Sequence, residues 1–128
     1  MRLLLDTHLL IWGAAQPGRL STLARSLIED PSHSPAFSVV SIWEISIKRG
    51  LGRVGFDFDP RALREAFLTR GYEELTVTSE HVIAVGSLPL LHRDPFDRLL
   101  VAQATVESML LLTVDARVAA YPGPVRRV

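Results

Sequence analysis

Two short apolar runs that each end on an aspartate constrain this chain more than any other feature: Arg2-Leu3-Leu4-Leu5 leads to Asp6, and Met109 to Val114 (MLLLTV) leads to Asp115. Runs of that length with no polar alternation suit strands buried on both faces, as in parallel sheets covered by helices. The intervening segments supply the helices. Leu9, Leu10 and Trp12 follow Asp6 at helical spacing, and Leu23, Leu27 and Ile28 share one face of Ser21 to Asp30 before Pro31. Ala36 to Val40 reads as a second strand, and Ser41 opens a helix that runs to Gly50. GLGRVGFDFDP reads as a connection or short hairpin, after which Asp59 caps a helix with Pro60 in its first position. Tyr72 to Val77 is a third strand, Thr78 to Ser87 a helix, Asp94 to Ser108 the longest helix, and the tail YPGPVRRV a candidate edge strand. Strands alternating with helices predict an α/β fold with a central, mostly parallel β-sheet flanked by helices. At 128 residues the chain is expected to form one domain spanning 1–128.

Composition narrows the chemistry. The absence of cysteine excludes disulfides, thiol nucleophiles and cysteine-based metal sites, so any metal is held by oxygen or by the four histidines. Fourteen basic residues balance fourteen acidic ones, which argues against a protein that coats nucleic acid by bulk charge but allows a basic rim around an acidic centre. No segment approaches the roughly 20 consecutive apolar residues of a membrane span. An acid and a histidine interrupt the apolar start MRLLLDTHLLIW, unlike a signal peptide, so the expected location is cytoplasmic and off the membrane.

In open parallel sheets the working site lies at the carboxyl ends of the strands. Asp6 and Asp115 stand just past two predicted strand ends, while Glu44 and the pair Asp94 and Asp97 fall in the first turns of two predicted helices. The topology therefore gathers five acids on one edge. Each has a local alternative: Ser41 to Glu44 spells a capping box, Asp94 with Pro95 spells an N-cap, and Asp97 suits the first helical turn. Asp6 and Asp115 are harder to assign to capping alone, because apolar runs carry them out of water. Two carboxylates about 4 Å apart repel by roughly 4 kcal/mol at an effective dielectric of about 20. A cluster of them either protonates or takes up a cation. Oxygen-only donors select hard ions, Mg²⁺ or Mn²⁺, which suit phosphodiester hydrolysis by a metal-activated water. Lys48, Arg49, Arg93, Arg98 and Arg117 lie close in sequence to the acids and are candidates for contacting substrate phosphates, with an ordinary solvated charge as the alternative. His33 and His81 read as solvated, whereas His8 and His92 stand beside acids and either pack or touch substrate.

Taken together, LLLDTHLLIW, SVVSIWEIS, HRDPFDRLLVAQA and LLTVD resemble the PIN domain, most nearly its VapC-like toxin branch. The likeness covers nearly the whole chain in the right order. It implies a Mg²⁺- or Mn²⁺-dependent endoribonuclease that is the toxin of a type II toxin–antitoxin pair. Asp6, Glu44, Asp97 and Asp115 match the family's catalytic, metal-holding quartet, and Asp94 matches an extra acid of the branch. Thr113 matches a Ser/Thr position whose hydroxyl orients Asp6. The implied partners are an RNA substrate, a cognate antitoxin and a second toxin protomer, in a homodimer and a toxin–antitoxin hetero-oligomer. The exposed aromatics this would need are Trp12, Trp43 and Phe56, whose ordinary role is core packing.

Three rival readings remain from the residues alone. Asp6 on the first strand suits a phosphatase nucleophile, but position 8 is His where such chemistry places a second acid. A phospho-accepting receiver domain also gathers acids around Mg²⁺, but it needs a lysine after a late strand, where this chain has Val114-Asp115-Ala116-Arg117. The third is a metal- or antitoxin-binding module with negligible nuclease activity.

Overall fold

The computed structural model describes residues 1–128. Five parallel strands form one sheet in the order β3-β2-β1-β4-β5: β1 (Arg2–Leu5), β2 (Ser34–Ser38), β3 (Glu73–Leu75), β4 (Leu110–Thr113) and β5 (Val125–Arg127). Seven helices connect them: α1 (Thr7–Ala15), α2 (Thr22–Glu29), α3 (Val39–Gly50), α4 (Pro60–Thr69), α5 (Ser79–Val85), α6 (Pro95–Glu107) and α7 (Ala116–Ala119). None is long and apolar enough to cross a membrane.

The central strands are covered on both faces, as the uninterrupted apolar runs require. Successive strand residues point to opposite faces. Leu3 and Leu5 therefore pack with Phe37 and Leu112 against Leu9, Leu10, Ile45, Leu63 and Phe67 on one side. Leu4 joins Ala36 and Leu111 against Val40, Leu100, Val101, Ala104 and Val118 on the other. Full burial of one such side chain contributes about 1.5–3 kcal/mol, which makes β1 and β4 a rigid base for the residues at their carboxyl ends.

From β1 the chain builds outward through β2 and β3, then returns to place β4 on the opposite side of β1 and β5 at the far edge. The strand order thus reverses between β1 and β4, and a crevice opens there beyond the carboxyl ends. The register pairs Leu5 with Leu112, so the next residues, Asp6 and Thr113, emerge side by side at that crevice.

Several expected boundaries move. Val39 and Val40 belong to α3 rather than β2, and the N-cap is Ser38, whose Oγ accepts from Val40 N at 3.0 Å. Ser41 is consequently a buried residue inside the helix, so the Ser41–Glu44 capping box does not form, and Glu44 lies in the second turn. The stretch after Gly50 carries turns and no hairpin strands. Asp59 caps α4 with Pro60 at its start, as expected. The sequence pattern does not announce the short helix α7, while the tail does add β5 as an edge strand beside β4. His81, expected in solvent, is fully buried: Nδ1 accepts from Thr78 N at 3.0 Å, and Nε2 lies 3.0 Å from Glu107 Oε2.

Candidate active site

Asp6 leaves β1 and caps α1. One oxygen accepts from Leu9 N at 2.9 Å, and the other accepts from Thr113 Oγ1 at 2.6 Å and Val114 N at 3.2 Å. Burial pushes its pKa above the ordinary carboxylate range, and the hydrogen bonds from Thr113, Leu9 and Val114 oppose that rise. Thr113 also accepts from Asp115 N at 3.1 Å, so one buried hydroxyl ties the ends of the two central strands together. Asp115 caps α7, accepting from Arg117 N at 2.8 Å and Arg117 Nη2 at 3.4 Å. Partial burial acts to raise its pKa, but the Arg117 amide and guanidinium outweigh it and hold the group below the usual range.

Glu44 comes from α3 and is almost fully buried. Thr7 Oγ1 donates to Glu44 Oε1 at 2.6 Å, and Lys48 Nζ donates to Oε2 at 2.5 Å. Thr7 Oγ1 also lies 2.9 Å from Ser41 Oγ. A hydroxyl carries a single proton, so Thr7 gives its own to the carboxylate and receives that of Ser41. Asp94 caps α6 through amides of Phe96 and Asp97, at 2.8 and 3.2 Å, and its second oxygen lies 3.8 Å from Lys48 Nζ.

Asp97 sits in the first turn of α6, and its Oδ2 lies 2.8 Å from His92 Nε2. Its pKa is pushed up to about 7, first by burial and then by the charges of Asp94 and Glu44, with His92 acting in the opposite direction. His92 Nδ1 accepts from Arg93 N at 3.1 Å, which leaves its proton on Nε2 facing Asp97. In that tautomer the ring is a hydrogen-bond donor to the acid, not a ligand for a metal.

All five acids, with Thr7, His8, Lys48, His92 and Arg117, line one cleft that has no hydrophobic residue in its wall. The trio with ligand atoms all within 4.8 Å of one another is His92, Asp94 and Asp97; Asp6, Glu44 and Asp115 line the same cleft more widely spaced. Mutual repulsion among carboxylates favours that spacing. Capping and clustering, posed as alternatives in the sequence, coexist: Asp6, Asp94 and Asp115 each cap a helix whose N-terminus faces the cleft, and the cap bonds fix the carboxylates where they converge.

The basic residues divide. Lys48 and Arg117 line the cleft, but Arg93 and Arg98 do not. Arg98 instead donates to the carbonyls of Pro89 and Val85 and to the Tyr121 hydroxyl, at 2.9, 3.2 and 2.9 Å, bracing the loop before α6. Arg49 points away, 3.8 Å from Asp57. Among the aromatics, Phe56 is buried, Trp12 is partly so, and Trp43 is 51% exposed, stacked edge-on to Phe96 with centroids 4.8 Å apart. Thr7, Ser41 and the donor role of His92 were not singled out in the sequence. Their only signal was a polar residue on a face that the apolar pattern turns inward.

A family model described as the PIN domain matches residues 3–124. No curated protein matches the sequence. Solved structures with similar folds include VapBC2 from Rickettsia felis bound to a promoter DNA fragment, 14% identical with a TM-score of 0.75, covering 100% of this chain and 99% of that one. DNA-bound VapBC from Salmonella typhimurium is 16% identical with a TM-score of 0.70, covering 99% and 98% of the two chains. VapBC-5 from Mycobacterium tuberculosis is 21% identical with a TM-score of 0.60, covering 99% and 97%.

Proposed function

This chain belongs to the PIN domain family, and from that premise we propose that it is a Mg²⁺- or Mn²⁺-dependent endoribonuclease, acting as the toxin of a toxin–antitoxin pair within one domain of 128 residues. The observation that carries this reading is the convergence of five carboxylates in a cleft with no hydrophobic wall, at the reversal of strand order.

The donor set fits a hard divalent ion. It offers carboxylate oxygens and no sulfur, and the nearby imidazole is turned as a donor. Asp6, Asp97 and Asp115 would hold the ion directly or through water, with Glu44 and Asp94 as the outer acids that complete the negative cleft. When bound, such an ion supplies positive charge to the phosphodiester and lowers the pKa of the attacking water. Thr113 fixes Asp6, His92 fixes Asp97, and the Arg117 amide fixes Asp115, so the acids are oriented before substrate arrives. Arg117 and Lys48 offer positive charge toward an RNA backbone at the cleft wall. A nucleophilic Asp6 is disfavoured: it is 5% exposed and both oxygens already accept hydrogen bonds.

The partners that accompany this reading are a cognate antitoxin and a second protomer. Support comes from the fold shared with VapBC complexes and from an apolar surface formed by Trp43, Val77, Val82, Val85, Pro95 and Leu99. The test is cleavage of end-labelled cellular RNA by purified protein with Mg²⁺ or Mn²⁺, with EDTA, and with Asp97→Asn as the control. Metal-dependent cutting lost in the variant supports the nuclease. Equal cutting by both proteins, or none under any metal, favours a binding module instead.

A further inference from the structure

Polar side chains link the acids of the cleft in two groups, which meet where Asp94 lies within 4.8 Å of Asp97. Thr113 joins Asp6 to the backbone of Asp115, and His92 Nε2 lies 2.8 Å from Asp97 and 4.0 Å from Asp115. The other pair, Glu44 and Asp94, is joined by a cation belonging to the chain. Lys48 Nζ lies 2.5 Å from Glu44 Oε2 and 3.8 Å from Asp94 Oδ2.

A glutamate followed four residues later by lysine is ordinarily a solvated helix-surface pair of small consequence. This one differs in three respects. The Lys48 and Glu44 side chains are only 18% and 3% exposed. The ammonium lies 4.9 Å from the Phe56 ring centre and 5.6 Å from that of Phe96, faces that favour a cation. Its second carboxylate comes from the N-cap of another helix, α6. The charge is therefore seated between two elements rather than spread along one.

We propose, resting on the metal-dependent reading of the cleft, that Lys48 is the resident cation of one half of it. It takes the position that a second divalent ion would need between Glu44 and Asp94, so the chain binds one Mg²⁺ or Mn²⁺, at Asp6, Asp97 and Asp115. Glu44 then acts through Lys48 rather than as a ligand, since its charge is already paired with an ammonium, whereas Asp6 accepts only from neutral donors. An ammonium supplies a fixed positive charge but does not acidify water as a divalent ion does. This half of the cleft accordingly offsets the repulsion that two bare carboxylates would present to a phosphate, and the other half activates the nucleophile.

The test counts Mn²⁺ bound per chain, by calorimetric titration and by the electron paramagnetic resonance signal of free Mn²⁺. It uses the 128-residue chain and the variants Lys48→Met, Lys48→Arg and Glu44→Gln, each checked for folding by circular dichroism. Wild type and Lys48→Arg are expected to bind one ion, and Lys48→Met two. Glu44→Gln is expected to retain one ion with affinity within about threefold of wild type, and it decides the matter if Lys48→Met does not fold. Two ions in wild type, one ion at unchanged affinity in folded Lys48→Met, or loss of the ion in Glu44→Gln would each overturn the assignment of Lys48 while leaving the nuclease intact. No ion in wild type would remove the metal-dependent reading along with it.

Discussion

Replacing Asp97 by asparagine should stabilise the metal-free protein while destroying its affinity for a cation. The Asp97 carboxyl is pushed up to about 7 from an ordinary value of 3.8 by burial and by its acidic neighbours. A rise of about three pKa units corresponds to a ceiling of roughly 4 kcal/mol lost by ionising the group in the folded state. Asparagine removes that charge, and the value of about 7 already contains the opposing bond from His92, which an amide oxygen also accepts. A net gain of up to about 4 kcal/mol remains above pH 7, or up to roughly 16 °C in Tm at about 4 °C per kcal/mol for a chain of this size. The sign with pH comes from proton binding. Between the unfolded and folded pKa values this carboxyl holds more proton in the native state, so its contribution to wild-type stability falls as pH rises from about 4 through about 7. Thermal and urea unfolding in EDTA at pH 5 and pH 8 measure this directly. The Asp97→Asn advantage should appear at pH 8 and shrink at pH 5, and added Mg²⁺ should raise the wild type alone. A variant less stable than wild type at pH 8, or a difference independent of pH, would refute the electrostatic reasoning.

Thr113→Val removes a donor that lowers the Asp6 pKa, so Asp6 should hold its proton to higher pH. Mn²⁺ affinity should fall about 10- to 100-fold, as titration would show. Arg98→Met strips donors from Pro89, Val85 and Tyr121, and urea unfolding should show a loss of about 1–3 kcal/mol with little change in Mn²⁺ affinity. A stable Arg98→Met protein that no longer cuts RNA would return Arg98 to the substrate path.

The central strands and the acids at their ends were legible because burial on both faces leaves an uninterrupted apolar run, and a parallel sheet brings the carboxyl ends of its strands to one edge. The β2–α3 boundary was not. Val39 and Val40 have strand propensity, but Val40 packs against Leu100 and Val101 as part of a helix, and two serines three residues apart both fit a cap. Nearness in sequence does not sort which cations line the cleft, for a geometric reason. Lys48 stands four residues after Glu44 and shares its helix face, whereas Arg98 stands one residue after Asp97 and projects well round the helix. His81 looked solvated because its partners Gln103 and Glu107 lie on α6, and no local pattern announces a contact of that separation.

The most direct measurement is the chemistry of the chain ends left on a defined RNA cut in Mg²⁺ or Mn²⁺ and not in EDTA. Attack by an activated water needs no 2′-hydroxyl nucleophile, so the products should carry no 2′,3′-cyclic phosphate. Cyclic phosphate ends, or cutting that persists in EDTA, would contradict the account that these acids assemble a cation site for hydrolysis.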